Sequence, residues 1–90
     1  MHYLLVRHKV QDFKHWKGAY EAHLPTRERA GLKEVQLLRN LENLHEVIIV
    51  FEAADMTKAR QFAASSDLRT VMSKAGVTDK PDIYFLESCH

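Results

Sequence analysis

Five side chains in the first third of the sequence, His8, Trp16, Tyr20, His23 and Arg27, are of the types that bind and activate a small conjugated molecule. An imidazole exchanges protons near neutral pH, indole and phenol rings stack on flat ligands, and a guanidinium holds an anionic group through paired hydrogen bonds. In an enzyme, His8 or His23 would carry the proton, Trp16 and Tyr20 would shape the pocket, and Arg27 would stabilise developing negative charge. Each also has a plainer account. Trp16 and Tyr20 fall with Phe13 and Leu24 on one apolar stripe and serve equally as core. His23 borders that stripe, where a backbone bond would satisfy one ring nitrogen. Arg27 can pair with Glu21 or with the neighbours of Glu28, and the alternation Thr26-Arg27-Glu28-Arg29 reads as a solvated face. His8 stands apart, because a titratable ring beside a buried strand needs either a partner or a solvent-filled cavity.

Other chemistries have no support. The chain holds no glycine-rich phosphate loop, no dinucleotide fingerprint, no HExxH pair and no serine in a nucleophile elbow. His2 and His8 on one strand would stand roughly 20 Å apart at about 3.3 Å per residue. His15 and His23, eight helical positions apart, would be separated by about 12 Å along the axis, too far for one ligand sphere. No metal and no cofactor is therefore expected. Met56 and Met72 read as ordinary helix-packing residues. Arg7, Gln36, Arg39 and Tyr84 lie in strands and can line an interior, but alternation alone does not say which face is inward.

Composition bounds the partners. Hydrophobic residues at 46% and charged residues at 28% are those of one ordinary globular domain, residues 1–90. A net charge of +1, without any run of like charges, disfavours nucleic acid and anionic membrane. The apolar run Tyr3 to Val6 ends at once in Arg7, His8 and Lys9, too short for a signal-peptide core or a membrane span. Cys89 is the single cysteine, which excludes an intrachain disulfide and fits a reducing, cytoplasmic setting. Cys89 with His90 reads as a frayed tail. Protonating the six histidines in acid would repel two packed copies of the chain.

The elements that must position the five candidates follow from periodicity. Residues 2–10 read as a first strand. Asp12 offers an N-cap to a helix carrying Phe13, Trp16, Tyr20 and Leu24, with Ala19 and His23 at the edges. Pro25 bends it into a second short helix that Gly31 stops. A mixed polar strand over Lys33 to Asn40 leads through a turn, Asn40 to His45, into a strand over Glu46 to Ala53. Asp55 and Thr57 cap the next helix, Ser65-Ser66-Asp67 restarts it, and Gly76 ends it. Pro81 opens the last strand, Asp82 to Glu87.

This is a β-α-β-β-α-β order, the ferredoxin-like α+β arrangement, a four-stranded antiparallel sheet with strands one and three central. The run Val47-Ile48-Ile49-Val50-Phe51 has no polar face and needs cover on both sides. Both helices cross one face, so a second copy is expected to cover the other, giving a homodimeric barrel. A chain this short has a modest core, and an interface would add burial.

The residues His8-Lys9-Val10-Gln11-Asp12-Phe13, Trp16, Tyr20, His23, Arg27 and Gly31, with Phe62-Ala63-Ala64-Ser65, Asp67-Leu68, Met72 and Ala75-Gly76-Val77, resemble a small bacterial family. That family is described as cyclase-like or antibiotic-biosynthesis-monooxygenase-like. The resemblance runs over nearly the whole chain and implies a dimeric α+β barrel. It further implies cofactor-free oxygenation, cyclisation or isomerisation of a small aromatic or conjugated ligand. The wider superfamily also holds haem-degrading enzymes, and fold alone does not select among activities. Its monooxygenase and haem-degrading branches use an asparagine with a tryptophan, or a helix-borne histidine, and none of those positions carries over residue by residue. The rival expectations are a non-catalytic dimerisation or ligand-binding module, and haem binding through one histidine.

Overall fold

A computed structural model describes residues 1–89. Four strands, β1 (His2–Lys9), β2 (Leu32–Asn40), β3 (Asn43–Ala53) and β4 (Asp82–Glu87), form one antiparallel sheet in the order β2-β3-β1-β4. Each crossover is a broken helix: α1 (Phe13–Ala22) with α2 (Leu24–Arg29), then α3 (Met56–Ala63) with α4 (Ser66–Lys74). The fold is the ferredoxin-like α+β arrangement expected, with the two most apolar strands in the centre.

Local chemistry sets the breaks. The carboxylate of Asp12 accepts from the Lys14 amide, that of Asp55 from the Thr57 and Lys58 amides, and the Ser65 hydroxyl from the Leu68 amide. Each satisfies a donor left free by the first helical turn. Thr57, expected to share the second cap, lies inside α3 instead. Gly31 and Gly76 end the two crossovers at φ 74° and φ 85°, left-handed values that a side chain resists.

Register divides the sheet into two unlike faces. Leu4, Val6 and His8 of β1 pair with Phe51, Ile49 and Val47 of β3, and all six are buried beneath the helices. The alternate set pairs Tyr3 with Glu52, Leu5 with Val50 and Arg7 with Ile48 on the opposite face. Among the described residues no helix covers that side: Tyr84 is 54% and Leu38 45% exposed, so an apolar surface stands open. The unbroken run in β3 thus has cover on one side within the chain, and Ile48 and Val50 are half-buried by their neighbours alone.

Several details differ from expectation. β3 begins at Asn43, not Glu46, because Asn40 pairs with Asn43 and confines the turn to Leu41 and Glu42. Both asparagine side chains accept from backbone amides two residues on, which tightens the hairpin. Val35 sits at a register shift between Glu34 and Gln36, which puts Leu37 toward the helices and Leu38 on the open face. Leu24, expected on the buried stripe, is 46% exposed. The break at His23 starts a new helix at Leu24, with Pro25 in its first turn, and the stripe does not continue across it.

Candidate functional site

The cleft between the covered sheet face and the two helical crossovers brings all five candidates together. His8, Trp16, Tyr20, His23 and Arg27 line one cavity with Val6, Ile49 and Phe51 beneath and α3 and α4 opposite. The cavity is about 50 Å³, and the space reaches about 470 Å³ when the open mouth is counted. The site therefore lies within one chain, under the helices. The sequence left open which strand face is inward, and strand parity puts His8 on the helix-facing side with Leu4 and Val6. Arg7, Gln36 and Tyr84 fall on the open face, through their pairing with Ile48, Val50 and Leu5. Arg39 falls on the covered side, its guanidinium 4.2 Å from the centre of the Phe13 ring.

Helical spacing stacks the aromatic wall. Phe13, Trp16 and Tyr20 follow at three and four residues on α1, so each ring overlies the next turn. Trp16 and His8 meet in a T-shaped contact, centroids 5.5 Å apart at 73°, and Trp16 stacks on Tyr20 at 4.8 Å and 19°. Tyr20 in turn donates its hydroxyl to Glu34 at 2.8 Å and lies 6.4 Å from Phe51. Burial and the bond to Glu34 push the phenol above its ordinary pKa, so it stays a neutral donor.

His8 is 2% exposed, and among the described residues neither ring nitrogen has a hydrogen-bond partner. Burial disfavours the imidazolium and lowers the pKa to about 4, with Arg7 opposing protonation further and Asp79 favouring it. The ring is thus neutral at physiological pH, with one nitrogen free to accept and the other to donate. An unpaired imidazole in an apolar wall has an open claim on whatever occupies the cavity.

Arg27 corrects the surface reading directly, since it is 5% exposed rather than solvated. Its guanidinium lies 3.8 Å above the centre of the Tyr20 ring, and Nη1 donates to the Tyr20 carbonyl at 2.6 Å. Among the described residues no carboxylate comes within ion-pair distance of it. Burial lowers its pKa, while Tyr20, Glu34 and Glu28 act in the opposite direction. Sequence spacing gave no signal for this, because the break at His23 ends the stripe of α1 and a separate short helix, α2, carries Arg27 inward.

His23 lies at the junction of α1 and α2. Its ring packs on Phe62 at 5.9 Å, and Nε2 meets the Asp67 carboxylate at 3.3 Å, in place of the expected backbone bond. Asp67 stands in the first turn of α4, where a negative charge is favoured. The pair ties the two helical crossovers together beside the cavity. Met72, read from sequence as plain packing, also lines the wall, as do Phe62, Leu68 and Val71. Sequence inspection missed these because an apolar residue on a cavity wall and one in a filled core have the same periodicity.

Among the described residues, no group of three His, Cys, Asp or Glu side chains is arranged to hold a metal ion. His90 lies outside the described residues, and Cys89 is an exposed free thiol.

No protein-family model matches the chain, and no curated protein is significantly similar to it. Solved structures are similar in shape. An antibiotic biosynthesis monooxygenase-like protein from Bordetella bronchiseptica superposes with a TM-score of 0.78 at 16% identity, over 99% of this chain and 97% of the other. One from Caulobacter crescentus CB15 gives 0.74 at 13%, over 99% and 90%. A variant of SnoaB, a cofactor-independent oxygenase from Streptomyces nogalater, gives 0.74 at 13%, over 99% and 93%. At such identities the likeness speaks for architecture alone. The resemblance first met in the residues thus holds at the level of three-dimensional structure: the chain has the fold of antibiotic biosynthesis monooxygenase-like proteins.

Proposed function

We propose that the cleft binds a small aromatic or conjugated molecule and moves a proton on it without a cofactor, as a monooxygenase of the kind its structural neighbours are named for, or as a cyclase or isomerase. One observation carries this reading: both ring nitrogens of the buried His8 lack protein partners and the ring lies on the cavity wall. A purely structural histidine would be bonded. His8, in its neutral form, takes a proton from an activated C–H group; His23, paired with Asp67, is the second proton carrier at this site. The resulting enolate spreads over the conjugated ligand against Trp16 and Tyr20, with Arg27 balancing its charge. A base of low pKa gives up driving force, and the negative charge growing beside it returns some by stabilising the imidazolium.

From the enolate two outcomes are open. Reprotonation at another carbon gives an isomer or closes a ring. In oxygenation the substrate supplies the electrons to O₂: a CH₂ group becomes C=O, one oxygen atom enters the product, and the other leaves as water with the two hydrogens. The test is anaerobic deuterium exchange from D₂O into anthrone, a ketone with an activated CH₂, followed by oxygen uptake in air. Wild-type protein should accelerate exchange and His8→Ala should not, with the circular dichroism spectrum unchanged. Equal rates with and without protein would remove the enzymatic reading for this ligand class.

The small enclosed room, about 50 Å³, favours a second reading, a non-catalytic dimerisation or ligand-binding module whose interior is largely filled by side chains, since ligand sites run from about 300 Å³. Binding without exchange would select it. In either case the open sheet face supports a homodimer, because Leu5, Ile48, Val50 and Leu38 would otherwise meet water together. A cytoplasmic setting belongs to the same proposal, on the strength of the free Cys89 thiol.

A further inference from the structure

Of the three rings in contact with Trp16, only one gives up an electron as readily as an indole does. His8 and Phe13 are an imidazole and a phenyl, both harder to oxidise, whereas Tyr20 is a phenol. Tyr20 is also the ring that stacks most closely, with centroids 4.8 Å apart and planes 19° from parallel. Stacked rings overlap their π systems, so an electron passes directly between them. The other two tyrosines lie across the sheet: Tyr3 and Tyr84 stand on its open face, by their pairing with Glu52 and Leu5.

A neutral phenol is easily oxidised only when its proton leaves with the electron. Tyr20 has an acceptor in place, because its hydroxyl donates to the Glu34 carboxylate at 2.8 Å. Burial and that bond keep the phenol from ionising beforehand. The Arg27 guanidinium, 3.8 Å from the ring centre, opposes positive charge on the ring, so the neutral phenoxyl is favoured over a radical cation. The path also has a direction. Trp16 is 3% exposed on the cavity wall, Tyr20 is half-buried, and Glu34 lies at the surface.

We propose that Trp16, Tyr20 and Glu34 form a radical outlet that carries an oxidising equivalent from the cavity to solvent. An oxygen-derived radical of the peroxyl class takes one electron from Trp16 and one proton from solvent, and leaves as a hydroperoxide. The indole radical cation then takes one electron from Tyr20 while the phenol proton passes to Glu34. This leaves an intact indole, a phenoxyl radical and a carboxylic acid. A soluble thiol or ascorbate-type reductant supplies an electron at the surface, and Glu34 returns the proton to the phenoxyl oxygen. The sum is one peroxyl radical reduced by one external electron and one proton, with the protein unchanged. This activity goes beyond the proton chemistry proposed above and does not depend on it.

The test starts the relay with light and needs no ligand. Excitation at the red edge of the indole band, where tyrosine does not absorb, photo-oxidises Trp16, the single tryptophan, with a soluble cobaltic ammine as electron acceptor. Transient absorption then follows the indolyl and phenoxyl bands. In wild-type protein the first should decay as the second grows, at one rate that does not change with protein concentration. Tyr20→Phe keeps a ring in the stack and should give a long-lived indolyl radical and no phenoxyl. Glu34→Gln keeps a hydrogen-bond acceptor without a base, and should slow the transfer by about 100-fold, the lower end of what a positioned base supplies. Tyr84→Phe should behave as wild type.

Indolyl decay without phenoxyl growth in the wild-type protein would overturn the inference without any variant being needed. So would phenoxyl growth that survives Tyr20→Phe, or that is lost in Tyr84→Phe, since either would place the radical on another tyrosine. An unchanged rate in Glu34→Gln would refute the carboxylate as proton acceptor, and with it the relay.

Discussion

The rings of His8 and Trp16 meet in a T-shaped contact with centroids 5.5 Å apart, while neither nitrogen of His8 is bonded among the described residues. The contact places a polar ring against an apolar wall at a direct cost in folding free energy. Burying an unsatisfied polar group costs about 1 to 3 kcal/mol, a cost that selection for stability alone would remove.

The first prediction follows from that cost and its pH dependence. Above pH 6.5 the imidazole is neutral in both folded and unfolded chains, and His8 adds no pH dependence. Between pH 6.5 and about 4 the unfolded chain takes up a proton that the folded chain refuses, so stability falls as pH falls. The full penalty is reached below about pH 4 and amounts to roughly 3 kcal/mol at 1.36 kcal/mol per unit. Urea unfolding of His8→Leu should show stability at pH 7.5 equal to or above wild type. At pH 4.5 the variant should lead by about 2 to 3 kcal/mol more. Parallel curves for the two proteins would mean that His8 is solvated or bonded in solution.

The second prediction concerns the aromatic wall. Trp16 is 3% exposed and touches Phe13, His8 and Tyr20, so truncation removes the centre of the row. Trp16→Ala should cost about 3 to 5 kcal/mol. Trp16→Phe keeps the stack and should cost less than half as much. Chemical denaturation of both, compared at constant slope, checks the order.

How far these residues could be read from the chain is itself informative. The unbroken run Val47 to Phe51 revealed a sheet short of cover, and Asp12, Asp55, Ser65, Gly31 and Gly76 marked helix ends because each performs a local task that few residue types can do. The convergence of His8 with Trp16, Tyr20, His23 and Arg27 followed from a strand end feeding a helix. What stayed hidden was tertiary. Arg27 looks solvated in the run Thr26 to Arg29, and nothing local says that a break at His23 turns it inward. Asp67 as the partner of His23 is 44 residues away in sequence, and the choice of the covered face as the site depended on the parity of His8 relative to Leu4 and Val6.

The open sheet face yields a third prediction. Leu5 and Val50 are cross-strand partners at its centre, flanked by Ile48 and Tyr84. A lysine there would bring a charge into the middle of a two-copy interface but would meet only solvent in a lone chain. Light scattering after gel filtration should give a dimer mass for wild type and a monomer mass for Val50→Lys, with helix content retained. A monomeric wild type would instead leave this face to a different partner.

The fourth prediction separates two glycines of opposite sign. Gly18 lies inside α1, and a Cβ added there would meet nothing within 4 Å. Gly18→Ala removes backbone freedom from the unfolded chain and should stabilise by about 0.5 to 1 kcal/mol. At Gly31 the contacts are also tolerable, the nearest being Ala54 Cβ at 3.5 Å, but φ is 74°. An alanine held in that left-handed conformation costs about 1 to 2 kcal/mol, so Gly31→Ala should destabilise by a similar amount. Gly31 also accepts the Ala54 amide through its carbonyl at 2.9 Å, which fixes the end of α2 to the end of β3. The backbone there resists relaxing to a more comfortable φ. Thermal unfolding of the two variants side by side should therefore move the midpoint in opposite directions, and a gain for both would show that the turn at Gly31 adapts.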